Sequence, residues 1–120
     1  MAYWGHHLIL DCGKCDSTRM SDYDNVDAWI RDLVVAIDMQ PIGSPRIEYT
    51  AGDLVDKAGF TVVQVIVTSS ITAHFVDAYG QIYLDVFSCK EFDPKVVESS
   101  ISHHFGCTTF RKYFLTRQAD

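Results

Sequence analysis

The sequence has few basic residues, and this shortage argues against one class of partner. It contains 10 lysines and arginines against 16 aspartates and glutamates, which gives a formal net charge of −6. Apart from Arg111, Lys112 and Arg117 near the end, the basic residues are scattered. Because a nucleic-acid-binding surface needs a basic patch, we expect no nucleic-acid partner. A cationic or zwitterionic small molecule suits the acidic balance better.

The sequence also lacks the marks of export and of membrane insertion. Its first ten residues have no basic start and only a short apolar run, whereas a signal peptide or a membrane-spanning helix needs a longer one. We therefore expect a cytoplasmic protein with no membrane association, in which the four cysteines are thiols by default. Cys12 and Cys15 form a single C-x-x-C, and without a second pair two thiols at a strand end explain it better than a zinc or redox site.

No linker and no internal repeat divides the chain. Its 120 residues are enough for one domain, residues 1–120, that buries its own core. Apolar residues make up 48% and charged residues 22% of the sequence, which are the proportions of an ordinary globular protein.

Apolar periodicity predicts an α+β two-layer sandwich, with a mainly antiparallel sheet and two helices on one of its faces. Apolar residues three and four apart follow Asp22 and predict a helix that ends near Pro41. Asp93 and Pro94 predict the start of a second helix, and Gly106 its end. Alternating apolar residues predict the strands. They cover residues 4–11, 46–50, 61–67, 71–75, 82–87 and 108–115.

Reactive side chains stand within the strands between residues 61 and 89, where a purely structural hairpin needs none. They are two hydroxyls, an imidazole and a thiol, on Thr61, Ser69, His74 and Cys89. Taken singly, such residues are more often strand-end hydroxyls, a hydrogen-bonded imidazole and a small buried apolar side chain. Their joint spacing therefore carries more information than any one of them.

Two pairs of adjacent histidines are better explained as surface or core imidazoles than as metal ligands. These are His6 with His7 and His103 with His104. Neighbouring residues on a strand point to opposite faces, so we expect no metal site.

The spacing of the reactive residues resembles the bacterial type of the S-adenosylmethionine decarboxylase family. That family's pattern is roughly G-V-S-G, five apolar residues, and then E-S-H-x-S-x-H-T-W-P-E-Y-G-Y-x-x-x-D-x-F-T-C-G. The same register here gives GFT at 59–61, TSSITAH at 68–74, YG at 79–80 and DVFSC at 85–89. Outside this stretch, GHHL at 5–8, CD at 15–16 and DP at 93–94 match further family motifs.

The resemblance implies a self-processing, pyruvoyl-dependent decarboxylase that forms a homodimer and acts in polyamine biosynthesis. In this scheme the hydroxyl of Ser69 attacks the carbonyl of Thr68, the amide becomes an ester, and β-elimination breaks the chain. The dehydroalanine left at position 69 hydrolyses to a pyruvoyl group, the electron sink that decarboxylation requires. His74 occupies the position of the processing histidine, Thr61 that of an assisting serine, and Cys89 that of the proton donor.

Two departures from the family pattern concern the cleavage site and the substrate site. Thr68 stands where the family has the glutamate before its reactive serine. VDA at 76–78 replaces Trp-Pro-Glu, whose acid binds the ribose hydroxyls of the substrate. Ala78 cannot do this, whereas the adjacent Asp77 can, so Asp77 and Tyr79 are the predicted substrate-binding residues.

A third departure from the family pattern leaves the identity of the substrate undecided. The family's aromatic residue that stacks on adenine is absent, and Leu54 and Val55 are the nearest residues in that region. Three hypotheses follow. The first is decarboxylation of S-adenosylmethionine. The second is the same chemistry on a small cationic amino acid such as ornithine or arginine. The third is a relative that does not process itself and acts as a ligand-binding or regulatory subunit.

Overall fold

The structure is a computed structural model that describes residues 2–120. It contains six strands, three helices and one 3-10 turn. The strands are β1 (Gly5–Gly13), β2 (Arg46–Thr50), β3 (Gly59–Ile66), β4 (Ser69–Val76), β5 (Gln81–Ser88) and β6 (Thr109–Arg117). The helices are α1 (Ser17–Met20), α2 (Tyr23–Ala36) and α3 (Pro94–Phe105), and the 3-10 turn covers Asp77–Tyr79.

The six strands form one antiparallel sheet in the order β2-β3-β4-β5-β1-β6. The middle strands β3, β4 and β5 are joined by short turns, so each pairs with its neighbour in the sequence. Strand β1 then lies between β5 and β6, because the chain returns to the sheet after α3. The predicted α+β class with a mainly antiparallel sheet is confirmed.

One face of the sheet is covered by the helices and holds the core. The long helices pack on each other and on alternate residues of the strands. Trp29, Phe75 and Phe105 are fully buried, and their rings meet edge to face with centroids 5.1–5.8 Å apart. At this spacing an aromatic pair stabilises the fold beyond the area that it buries.

The other face of the sheet has no helix on it, and we call it the open face. Two rows of directly paired residues cross it. The first row runs Thr61, His74, Tyr83, Asp11 and Arg111, and the second runs Val65, Ser70, Phe87, His7 and Leu115. Exposed apolar and aromatic side chains occupy this face. They include Val63, Val65, Tyr83, Tyr113 and Leu115.

The helix ends follow the predicted capping residues. The Asp22 carboxylate accepts from the backbone N–H groups that open α2, and Asp93 does the same for α3. Gly106 ends α3 with a φ of 65°, a conformation that glycine adopts at little cost. Helix α2 ends at Ala36, before the predicted Pro41, because Asp38 already turns out of the helix with a φ of 57°.

Two expectations about the region after β1 are wrong. We predicted two helices, and the short helix α1 makes a third; the Asp16 side chain caps it by accepting from two backbone N–H groups. We also expected four thiols, but Cys15 and Cys107 form a disulfide across 92 residues of sequence. Cys12 is buried and Cys89 is exposed, and both are free thiols.

None of the helices in residues 2–120 combines the length and the apolar character that crossing a bilayer requires.

Candidate active site

The hairpin between β3 and β4 places Ser69 at the first position of its strand. Ile66 pairs with Ser69, so residues 67–68 form the turn. Ser69 has a φ of 151°, which lies in a region that favours glycine and costs other residues on the order of 1–3 kcal/mol. The peptide bond between Thr68 and Ser69 therefore lies in a strained segment.

The carbonyl oxygen of Thr68 has a specific donor. The backbone N–H of Cys89, just after the end of β5, donates to it at 3.0 Å. A donor in this position stabilises negative charge on that oxygen when a nucleophile attacks the carbonyl carbon. Because the thiol of Cys89 is exposed, it remains free to act as a separate group.

The side chain of Thr68 is also held. Ser88, which is fully buried, donates from Oγ to the Thr68 hydroxyl at 2.7 Å, and the Thr68 hydroxyl lies 3.3 Å from the sulfur of Met39. The backbone N–H of Lys90 donates to Ser88 Oγ at 3.0 Å.

Thr61 and His74 form the second half of the site. They pair directly across β3 and β4 on the open face, with Thr61 Oγ1 2.9 Å from His74 Nδ1. His74 Nε2 lies 2.7 Å from the carbonyl oxygen of Lys57. A carbonyl oxygen only accepts, so Nε2 carries the hydrogen. In the neutral ring Nδ1 is then an acceptor, placed to take the proton of the Thr61 hydroxyl.

The structure separates these two halves. Ser69 and His74 lie on the same strand five residues apart, which corresponds to roughly 16 Å in an extended strand. The sequence spacing does not show this separation: a single sheet places Ser69 with Cys89 at one end of β4 and His74 with Thr61 at the other.

The predicted substrate-binding residues lie near the His74 end. A cleft of about 460 Å³ is lined by His74, Lys57 and the exposed Tyr79, among others. Asp77 accepts from the Tyr49 hydroxyl at 3.4 Å through Oδ2, while its Oδ1 is buried and has no hydrogen-bond partner in the described part of the chain. Burial raises the pKa of Asp77; the Tyr49 hydrogen bond and the nearby His74 lower it by less.

Sequence reasoning missed the residues that hold these groups in place. Ser88 was seen only as part of the motif that ends at Cys89, and Met39 was not singled out. Strand alternation could have placed Ser88 on the core side, beside the buried Val86, but the loop that brings Met39 to Thr68 has no periodic signal.

The buried thiol of Cys12 is not a candidate nucleophile. Burial, with smaller contributions from Asp11 and Glu98, raises the pKa of Cys12 to about 12, so Cys12 is a poor nucleophile.

Within residues 2–120 no three side chains of histidine, cysteine, aspartate or glutamate lie close enough together to hold a metal ion.

Comparison with known proteins agrees with the geometry. The model of the family described as S-adenosylmethionine decarboxylase matches residues 6–118. The S-adenosylmethionine decarboxylase proenzyme of Geobacillus kaustophilus is 24% identical over 105 residues, covering 88% of this chain and 80% of that protein. The proenzyme of Clostridium botulinum is 24% identical over 98 residues, covering 81% of this chain and 79% of that protein.

A solved structure shares the fold. The crystal structure of the adenosylmethionine decarboxylase from Aquifex aeolicus superimposes with a TM-score of 0.81 at 18% identity, covering 100% of this chain and 95% of that one. At this identity the likeness speaks for the fold, and the family match rests on the sequence. The chain therefore belongs to the S-adenosylmethionine decarboxylase family.

Proposed function

We propose that the protein is a cytoplasmic, pyruvoyl-dependent decarboxylase that cleaves itself between Thr68 and Ser69 and acts on S-adenosylmethionine in polyamine (spermidine) biosynthesis. The observation that carries this proposal is the contact between the Cys89 N–H and the Thr68 carbonyl oxygen, at 3.0 Å, beside the strained Ser69. A donor on the carbonyl and strain in the adjoining residue are what attack by a hydroxyl on an amide needs.

Self-cleavage begins with the hydroxyl of Ser69. Its oxygen bonds to the carbonyl carbon of Thr68, the carbon–nitrogen bond breaks, and the hydroxyl proton ends on the freed amine. The Cys89 N–H stabilises the oxyanion formed in between. Elimination then removes the Cα proton of residue 69 and breaks the new ester, so Thr68 leaves as a carboxylate. Water hydrolyses the remaining dehydroalanine, which becomes the pyruvoyl carbonyl as its nitrogen leaves as ammonia.

The residues present fit a pyruvoyl group at position 69, because a free thiol lies beside the site that forms it. The group supplies the electron sink for loss of carbon dioxide. The Cys89 side chain is exposed, which allows its thiol to give a proton to the substrate carbon. An ordinary thiol is largely protonated at neutral pH.

His74 and Thr61 assist this chemistry from a second copy of the chain. Within one chain they are roughly 16 Å from Ser69 along the strand, too far for proton transfer. The open face presents exposed apolar side chains such as Val65 and Leu115, which favour burial against another surface. Suppose that two open faces pack on each other about a twofold axis perpendicular to the strands. The Ser69 end of β4 in one chain then lies against the His74 end of β4 in the other.

Complementation tests the shared site directly. One tagged chain carries Ser69→Ala and the other, with a different tag, carries His74→Ala; each is expressed alone and then both together. We expect no cleavage of either chain alone, and cleavage of the His74→Ala chain when both are present. Co-expression of His74→Ala with a Ser69→Ala, His74→Ala double variant is the matched control, which should give no cleavage. Cleavage of the His74→Ala chain by itself at the wild-type rate would contradict the role of His74.

A small cationic amino acid, such as ornithine or arginine, is the second candidate substrate. The net charge of −6 and the Asp56 carboxylate in the lining of the cleft suit a cationic substrate. Leu54 and Val55 are exposed and supply no aromatic ring for adenine. Carbon dioxide release from labelled S-adenosylmethionine, ornithine and arginine decides between the substrates. Release from none, with an intact chain, would favour a ligand-binding or regulatory subunit.

A further inference from the structure

A directional chain of hydrogen bonds surrounds the Thr68 side chain, and the mechanism above does not use it. The Lys90 backbone N–H donates to Ser88 Oγ at 3.0 Å, and Ser88 Oγ donates to Thr68 Oγ1 at 2.7 Å. A hydroxyl has one hydrogen to give. Ser88 Oγ also lies 3.7 Å from the sulfur of Met39, but its much shorter contact is to Thr68, which therefore takes its hydrogen. The Thr68 hydroxyl then gives its own hydrogen to the Met39 sulfur, 3.3 Å away.

The same residue is held a second time through its backbone. The carbonyl oxygen of Thr68 accepts from the N–H of Cys89 at 3.0 Å. Ser88 and Cys89 are consecutive, so the end of β5 holds both the side chain and the carbonyl of Thr68. Two contacts from adjacent residues restrict rotation about the Thr68 backbone more than either contact alone.

We infer that Ser88 is a positioning residue for self-cleavage: its hydroxyl holds Thr68 so that the Thr68 carbonyl stays on the Cys89 N–H and its carbon stays open to the Ser69 hydroxyl. This inference rests on the proposed function. Ser88 touches neither the attacking oxygen nor the breaking bond and acts only through Thr68. Ser88 is fully buried, so its own hydroxyl is not solvated and its hydrogen bond to Thr68 does not compete with bulk water.

The inference also gives a reason for the threonine at this position. The hydroxyl of Thr68 both accepts from Ser88 and donates to Met39. A glutamate carboxylate in the same place has no hydrogen to donate to the sulfur. The contacts of Ser88 and Met39 therefore match a threonine before Ser69.

The first test is a comparison of cleavage rates by intact mass. Ser88→Ala removes the donor, Thr68→Val removes the acceptor at nearly constant shape, and the double variant removes both. We expect each single change to slow cleavage at least about tenfold, the effect of losing one hydrogen bond to a positioned group. The double variant should be no slower than the slower single one, and Ser88→Thr, which keeps the hydroxyl, should restore most of the rate.

Hydroxylamine separates a defect in the acyl shift from a defect in the later elimination, and a melting curve shows that the variant is folded. It splits an ester and leaves amides intact, so it reports the acyl shift before elimination occurs. The test uses Ser88→Ala protein that shows a cooperative thermal unfolding transition and is therefore folded. Its cleavage should remain slow when hydroxylamine is added, because the substitution slows the step that forms the ester. Full cleavage on adding hydroxylamine would overturn the inference.

A second readout does not depend on cleavage. In Ser69→Ala protein, which cannot form the ester, adding Ser88→Ala should speed amide hydrogen exchange at Cys89, whereas exchange at Leu84 in the middle of β5 should not change. If the amide exchange rate at Cys89 does not change, the inference about Ser88 is wrong while the proposed function stands. The same holds if Ser88→Ala protein cleaves itself at the wild-type rate. A wild-type chain that never cleaves would overturn the proposed function and the processing role of Ser88 with it.

Discussion

The hydroxyl of Thr61 and the Nδ1 of His74 lie 2.9 Å apart across the β3–β4 pair. The orientation of the ring is set from its other side, where Nε2 donates to the Lys57 carbonyl at 2.7 Å. The histidine is thus fixed as an acceptor toward Thr61. The proposed function uses this acceptor as the group that takes a proton during self-cleavage.

Loss of the imidazole should slow self-cleavage. We expect His74→Ala to reduce the cleavage rate by about 10²–10⁴-fold, the usual contribution of a positioned acid or base, and Thr61→Ala to reduce it by less. Thr61→Ser should cleave close to the wild-type rate because it keeps the hydroxyl. A time course of intact mass measures each rate, and His103→Ala, on the exposed side of α3, is the matched control. Equal rates for His74→Ala and His103→Ala would rule out the assignment.

Replacing the Cys89 side chain should leave self-cleavage intact but impair decarboxylation of the substrate. Its backbone N–H contacts the Thr68 carbonyl, and this group survives a change of side chain. Cys89→Ala is therefore expected to cleave but to lose decarboxylation by about 10²-fold or more, because the thiol is the proposed proton donor. Fragment masses and carbon dioxide release on one sample measure both effects. Loss of cleavage together with turnover would show that the thiol itself acts in processing.

The two free thiols should differ sharply toward an alkylating reagent. Burial raises the pKa of Cys12 to about 12, so at pH 8 only about one Cys12 in 10⁴ is a thiolate. Cys89 is exposed and should be alkylated first, by a factor of at least about 10² in rate. Peptide mapping of briefly treated native protein measures the order, and guanidinium-unfolded protein is the control in which the two should react alike. Early labelling of Cys12 would contradict its burial.

The disulfide should contribute to stability. It joins residues 92 apart in sequence, and closing a loop of that size stabilises by up to about 4–5 kcal/mol in the chain-entropy account. We expect Cys15→Ser, Cys107→Ser protein to unfold at lower denaturant concentration, with a loss of about 2–5 kcal/mol. Chemical denaturation measures the difference, and Cys89→Ser is the control. Cells lysed in an alkylating agent show whether the bond exists in the compartment where the protein works, since cytosolic disulfides are uncommon.

Asp77 should give the protein a distinct pH dependence. Burial raises its pKa above the usual 3.8, so the folded state holds this proton more tightly than the unfolded chain does. The resulting stabilisation is complete below pH 3.8 and is lost as the pH rises through the folded-state pKa. Asp77→Asn cannot ionise, so its stability relative to wild type should increase over that range.

The size of this effect is limited by solvent. The Asp77 side chain is partly exposed, so screening holds the change to no more than about 1 kcal/mol. Melting temperatures at several pH values measure it, with the exposed Asp53→Asn as control. A difference between Asp77→Asn and wild type that does not change with pH would contradict the shift.

The fold could be predicted from sequence where a local pattern fixes it. Alternation placed the strands, and Asp93 and Gly106 marked the ends of α3, because capping depends on single residues. Helix α1 could not be predicted, since four residues are too few for a helical period. The Cys15–Cys107 bond was missed because it depends on how β1 and β6 come together in the sheet.

The sequence supplied candidate site residues but not their arrangement. Ser69, His74 and Cys89 were chosen by spacing, and spacing alone does not show that a straight strand keeps Ser69 and His74 apart. The proposed function brings these residues together across a second copy of the chain, and sequence patterns do not describe such a surface. The hydrogen bond from Ser88 to Thr68 joins the end of β5 to the turn between β3 and β4. Only the folded chain brings these two segments together.

The intact mass of freshly purified protein, beside a Ser69→Ala control, tests the central claim most directly. The account predicts two fragments from the wild type, one ending at Thr68 and one beginning with a blocked pyruvoyl group at position 69, and a single full-length mass from the control. A wild-type chain that keeps its full-length mass on long incubation would contradict it.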